Sequence, residues 1–226
     1  MKKIFTFAVA VALCSQAFGW GGVGHRTIVE IAQRNLTEKA KANIAKYMNY
    51  DLKKEAVWMD EHRNDKPIAY TTSWHVYNVD EQSIYDPNPR LYKGDCIHAI
   101  KIADYNLRQY ERLTDSAVIF NLRMILHFVG DMHCPSHTSY HEQPGFKGYN
   151  IYRSGKRTSF HTFWDAAPAY MHKNWTCEDF LKNLDKWPKK KIAKVVQGTA
   201  EDWARVNGKE IREVYSLIPV DAEYTK

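Results

Sequence analysis

His127-Phe-Val-Gly-Asp131-Met-His-Cys-Pro135-Ser-His137 closes the long apolar-periodic stretch Ser116 to Met132 and decides how the chain is read. Ahead of Pro135 the residues keep the rhythm of an amphipathic helix, opened at Asp115-Ser116. His127 and Asp131 lie one helical turn apart on one face, where an imidazole nitrogen and a carboxylate oxygen can close on a single cation. Proline stops the helix, and His137 follows two residues later.

The same spacing returns at His161-Thr-Phe-Trp-Asp165. One such pair is commonplace on a helix surface. Two pairs, together with His137, His75, Asp60 and His25, make eight donors, too many for one zinc and suited to a multinuclear site. Asp131 has His127 on one side and His137 on the other, so its carboxylate is placed to bridge two ions. His137, His161 and Asp165 form a three-ligand set for another. A single histidine on a helix is more often a hydrogen-bonded structural residue, and His62, His98, His133, His141 and His172 are assigned to that class. Cys134 lies in the densest ligand stretch and is read as a buried neutral thiol ahead of a thiolate ligand, because the neighbouring His and Asp complete their own sets.

Helical periodicity dominates the remainder. Ile28 to Leu36 fits a first helix, Thr37 caps a second over Glu38 to Met48, and Leu52 to Arg63 reads as a third. Cys96 to Leu113, His161 to His172 and Lys191 to Leu217 supply the others, the last as one helix or two. Tyr77 to Lys93, with Pro87 and Pro89, is expected to be a surface loop, and Tyr149 to Thr158 a small hairpin around Ser154-Gly155. No repeat or long linker divides the chain, so the expected fold is mainly α, a single helical domain carrying one β-hairpin.

Residues 1–19 read as a secretory leader: basic Lys2 and Lys3, apolar Ile4 to Leu13, and a small-x-small site at Ala17-Phe18-Gly19. Leu13 stands where a lipoprotein would place a small residue before Cys14, so a secreted or periplasmic protein without stable membrane association is expected. Residues 20–226 are enough for one domain with a sizeable core. Two of the six net positive charges lie on the leader lysines, and Lys189 to Lys191 reads as a solvated helix face. That mild basicity suits a polyanionic substrate without selecting one. Cys96, Cys134 and Cys177 allow one disulfide and one free thiol, and the sequence does not choose the pair. Cleavage after Gly19 would also expose a free amine on Trp20, a chelating group five residues ahead of His25.

In order along the chain, Trp20-Gly-Gly-Val-Gly-His25, Trp58-Met-Asp60-Glu-His-Arg63, Trp74-His75, the His127 to His137 stretch and His161 to Asp165 resemble the motifs of the S1/P1 nuclease family. Glu201-Asp-Trp-Ala204 resembles that family's weaker C-terminal motif. The resemblance implies a secreted, monomeric, mostly helical enzyme with three zinc ions, on a fold shared with zinc-dependent phospholipase C. It implies that Asp60, His75, His127 and Asp131 hold one zinc; that the Trp20 amine and carbonyl, His25 and the shared Asp131 hold its neighbour; and that His137, His161 and Asp165 hold the third. The implied activity is cleavage of single-stranded DNA and RNA to 5′-phosphate products, with removal of phosphate from 3′-nucleotides. Paired zinc ions lower the pKa of a bridging water toward about 7, and the hydroxide attacks phosphorus in line while the third zinc steadies the leaving 3′-oxygen. Arg63 matches a phosphate-contacting arginine.

The chain departs from the family at several positions. Asn78 stands where an aspartate is thought to orient or deprotonate the water, with Asp80 a possible substitute. Val76 replaces the base-stacking aromatic, and Tyr77 is the candidate to compensate. Asn150 lies in a stretch like the base-recognising loop, where a plain turn residue is an equal reading, and Cys134 and Ser136 replace Gln and Leu. Only Cys96 falls where a family disulfide cysteine might. Two other functions stay open: a zinc phospholipase C, and an exported zinc-binding protein with reduced catalysis, for which Asn78 is the motive.

Overall fold

The computed structural model describes residues 20–49, 51–87, 94–140 and 150–224. The expected leader, His141 and Tyr149 lie outside the described residues. The helices are α1 Gly21–Asn35, α2 Glu38–Ile44, α3 Trp58–His62, α4 Cys96–Leu107, α5 Asp115–Met132, α6 Phe160–Asp165, α7 Ala167–Met171, α8 Cys177–Leu184, α9 Lys189–Val195 and α10 Ala200–Leu217. With only short strands beside them, the domain is mainly α, as expected.

Helix α5 is the axis of the fold. The Thr114 hydroxyl caps it by accepting the Ala117 N–H at 3.3 Å, a contact typically worth about 1 kcal/mol. One apolar stripe, including Met124, Phe128 and Met132, joins the main core with Met59, Trp74 and Ile97. A second stripe, Ile119, Leu122 and Leu126, covers a smaller cluster of Val29, Met48, Leu52 and Ala56. At 3.6 residues per turn His127 and Asp131 fall between the stripes, so the packing that stabilises α5 also seals both polar side chains away from water.

Two small sheets bring the remaining donors in. Strand β1 (Tyr77–Val79) pairs in parallel with β2 (Thr138–Tyr140), Tyr77 opposite Thr138. His75 and His137 each precede one of these strands, and the pairing sets them side by side: His137 Nδ1 donates to the His75 carbonyl at 2.7 Å. Strands β3 (Asn150–Arg153) and β4 (Lys156–Ser159) form the expected hairpin, and Ser154 and Gly155 both take the positive φ that a tight two-residue turn requires. Strand β5 (Glu223–Tyr224) adds to β3. β4 runs straight into α6, where the Ser159 hydroxyl accepts the Thr162 N–H at 3.0 Å and so starts the helix that carries His161 and Asp165.

Several boundaries differ from the sequence reading. Leu52 to Arg63 is not one helix: a 3-10 turn over Leu52–Val57 precedes α3, and it aims the Ala56 carbonyl at His127. The stretch after His161 breaks at Ala166 because Pro168, in the first turn of α7, has no N–H to continue α6. Tyr77 to Val79, read as loop, is strand β1, and α8 was not expected at all. The anticipated disulfide is absent among the described residues. Cys96 donates to the Phe128 carbonyl, Cys134 lies against Ser136 and Cys177 lies against Thr27, three separate surroundings. Among the described residues no helix is long and apolar enough to cross a membrane.

Candidate metal centre

Asp131 is fully buried, and its two carboxylate oxygens face different imidazoles. Oδ1 lies 3.2 Å from His25 Nε2 and 3.5 Å from His137 Nδ1. Oδ2 lies 2.8 Å from His75 Nδ1 and 3.2 Å from His127 Nε2. Asp60 Oδ1 closes the second set, 3.6 Å from His75 Nδ1 and 3.5 Å from His127 Nε2. Two groups of donors thus share a wall: His25, His127 and Asp131, then Asp60, His75 and His127, each with ligand atoms within 4.8 Å of one another. A third gathering surrounds Asp165, with His137 Nε2 at 3.4 Å and His161 Nε2 at 3.1 Å.

Backbone carbonyls set the rings. His127 Nδ1 donates to the Ala56 carbonyl at 2.8 Å, His137 Nδ1 to His75, and His161 Nδ1 to Ser136 at 3.2 Å. Each bond fixes the proton on Nδ1 and turns the Nε2 lone pair into the cluster, the arrangement metal-binding imidazoles use. His25 comes in from α1, stacked on His127 with ring centroids 4.1 Å apart. Gly130 makes room for it, since a Cβ there would stand 3.0 Å from His25 Nδ1.

The donor set fits divalent cations on two counts. Buried polar atoms normally find a hydrogen-bond partner, yet His25 Nε2, Asp60 Oδ1, Asp131 Oδ1, His137 Nε2 and Asp165 Oδ2 make no hydrogen bond among the described residues and have only the imidazole–carboxylate approaches given above. The charges tell the same story. Burial opposes ionisation of Asp131, but His127 and His137 outweigh it and hold the carboxyl well below its ordinary range. Burial likewise works against an imidazolium at His137, while Asp131 and Asp165 lift it to about 9. Burial keeps His25 and His161 below their ordinary value, helped by His127 and His137 respectively. Clustered carboxylates thus demand positive charge, and burial makes two of the imidazoles, His25 and His161, poor at carrying it.

The other singled-out residues separate into those beside the centre and those engaged elsewhere. Trp20 anchors the start of α1: its indole N–H donates to the Gly130 carbonyl at 3.0 Å, and its backbone N–H faces Cys134 Sγ. Arg63 follows one turn after Asp60; burial lowers its guanidinium from the usual value and Asp60 partly restores it. Tyr77 is a correction. It is fully buried with its hydroxyl on the Met132 carbonyl, so it has no ring face to offer a base. Asp80 Oδ1 accepts the Gln82 and Ile84 N–H groups at 2.9 and 2.8 Å, capping its own turn. Asn78 Oδ1 accepts the Ser139 hydroxyl across the β1–β2 pair. Asn150 pairs with Ser159, beside the start of α6.

His62, His98, His133 and His172 each rest against an aromatic ring, outside the cluster. The sequence reading gave no role to Ser136, whose hydroxyl donates to Asp165 Oδ1 at 2.9 Å; its position beside His137 was the available signal.

The S1/P1 Nuclease family profile matches residues 20–222, and the chain belongs to that family. It is similar to Nuclease S1 of Aspergillus oryzae, 26% identical over 170 residues that cover 70% of this chain and 57% of that protein. It is 25% identical to Nuclease P1 of Penicillium citrinum over 209 residues, covering 86% and 74%. Endonuclease 2 of Arabidopsis thaliana is 28% identical over 163 residues, covering 66% and 55%. The chain thus spans little more than half the length of two of these relatives.

Proposed function

We propose that the chain is an exported zinc-dependent phosphodiesterase that hydrolyses single-stranded DNA and RNA to 5′-phosphate products and removes phosphate from 3′-nucleotides. Asp131 carries this reading, because a buried carboxylate with each oxygen facing its own histidines is what a pair of neighbouring cations requires. Asp60, His75, His127 and Asp131 would hold one zinc. His25, the other Asp131 oxygen and the Trp20 amine and carbonyl, freed by removal of residues 1–19, would hold the second. His137, His161 and Asp165 would hold the third. When bound, such ions supply Lewis acidity, activating water and screening the charge on phosphate.

The protein's own contribution is placement. Asp131 fixes the two histidine sets at a constant separation from within a rigid helix. Arg63 extends the cationic face past Asp60, where its planar fork suits two phosphate oxygens. Asn78 accepts the Ser139 hydroxyl and, as an amide, is no general base, while Asp80 is held to its own turn through Oδ1.

One observation favours the phospholipase C reading: an almost wholly apolar cavity of about 630 Å³ beside α6, walled by Trp20, Phe163, Trp164, Tyr170, Trp175 and Phe180. The deciding assay offers the purified chain single-stranded DNA, duplex DNA, a 3′-nucleotide and phosphatidylcholine vesicles. Preferential cleavage of the single strand is expected. Lipid turnover without DNA cleavage overturns the nuclease assignment, and no turnover despite bound zinc supports a binding protein instead. One extra residue before Trp20 should remove the second cation, and unchanged zinc content would refute the terminal chelate.

A further inference from the structure

On the reading above that His137, His161 and Asp165 hold a cation, we propose that Cys134 joins them as a thiolate ligand, making this half of the centre a mixed sulfur, nitrogen and oxygen site. Cys134 is fully buried, and its Sγ and ligand atoms of His137 and Asp165 all lie within 4.8 Å of one another. That is the span of donors around one ion. Sγ is 3.5 Å from Asp165 Oδ1 and 3.2 Å from Ser136 Oγ. A separate observation points to a ligand in the same space. His137 Nε2 and Asp165 Oδ2 belong to side chains almost wholly buried, and neither atom has a hydrogen-bond partner among the described residues. Around the sulfur, then, are donor atoms waiting for the same thing.

Local geometry puts the thiol there. α5 ends at Met132, and Cys134 is extended at φ −84°, ψ 122° ahead of Pro135. The 3-10 turn Pro135–His137 then brings His137 round above it, with the His137 N–H on the Cys134 carbonyl at 3.0 Å.

The chemistry is a simple exchange. As the sulfur–metal bond forms, the S–H proton leaves to solvent, and no atom is oxidised or reduced. Asp165 alone leaves a divalent cation with one uncompensated charge inside the protein, whereas Asp165 and a thiolate together neutralise it. Thiolate also shifts the site toward softer ions than imidazole and carboxylate alone would select.

X-ray absorption at the zinc edge of the intact zinc-loaded chain reads this directly. One zinc–sulfur distance near 2.3 Å per chain is expected. In the cobalt-exchanged chain a sulfur-to-cobalt charge-transfer band should appear in the near ultraviolet, persist in Cys177→Ser and vanish in Cys134→Ser. That last variant should release its cation to a chelator roughly 10–100-fold more readily. Three zinc ions with no sulfur neighbour overturn the proposal and leave the three-cation reading standing. A chain that holds no third ion sinks both. If Cys134→Ser does not fold, the absorption measurement on the unaltered chain still decides.

Discussion

Asp131 and Asp165 are the same chemical group in two different settings. Asp131 sits on an eighteen-residue helix whose flanks pack into two apolar cores, and imidazoles approach both of its oxygens. Asp165 sits on a six-residue helix at the end of a hairpin. One of its oxygens is engaged by Ser136, and its neighbour His161 keeps a quarter of its side chain exposed. Both carboxylates are buried, so the contrast lies in what holds them: Asp131 rests on a long helix packed into two cores, whereas Asp165 rests on a short helix beside a partly exposed His161.

The largest expected effect follows from that asymmetry. Asp131→Ala should abolish hydrolysis of single-stranded DNA, because both histidine sets lose their common wall. Asp165→Ala should cost roughly 10²-fold in kcat and leave measurable turnover. Equal losses in steady-state assays of the two variants would erase the distinction. Gly130→Ala tests the enclosed half alone. Its methyl group would press on His25 at 3.0 Å, and overpacking of that kind typically destabilises by about 1–3 kcal/mol. Thermal unfolding should show this loss, with affinity for the cation at His25 weakened and the Asp165 half unchanged. Ser136→Ala tests the other half: without its hydrogen bond to Asp165 Oδ1, one cation should bind about tenfold more weakly by competition titration.

The smallest effect concerns the chelator-stripped protein. His137 and His127 are raised above their ordinary 6.5, His137 to about 9, despite burial, by the neighbouring carboxylates. Their contribution to stability is therefore full below about pH 6.5 and is lost at higher pH, for His137 as pH rises through about 9. Asp131 and Asp165 are depressed below 3.8, mainly by those imidazoles against burial, so their contribution is present above that pH and lost on acidification. His25 and His161, held below 6.5 by burial, lose stability as pH falls below that value, so stripped protein should melt highest near pH 6.5. A melting temperature that climbs steadily from pH 6.5 to 9 would contradict the imidazole–carboxylate pairing.

How much of this was legible depended on distance along the chain. Helices α5 and α6, with their His-x-x-x-Asp pairs, were readable because period, spacing and chemistry all lie within a few residues. His25, Asp60 and His75 entered the donor count by residue type, and the match of separate motifs to one family divided the eight donors into sets. Nothing local shows that β1 and β2 pair in parallel, although that register places His75 against His137. The same register turned Tyr77 inward, since successive side chains along a strand alternate faces. Asp80 Oδ1 binds its own backbone, a common habit of aspartate in turns that its position in the sequence did not announce. Helix α8 was overlooked although Thr176 and Asp179 form a capping box, and the Pro168 break was visible but not used.

The shared role of Asp131 is tested most directly by counting cations on the chain that begins at Trp20, using native mass spectrometry on the unaltered protein and on Asp131→Ala. Three ions falling to one is the expected result. A single ion on the unaltered chain, or the loss of only one ion in the variant, would contradict it.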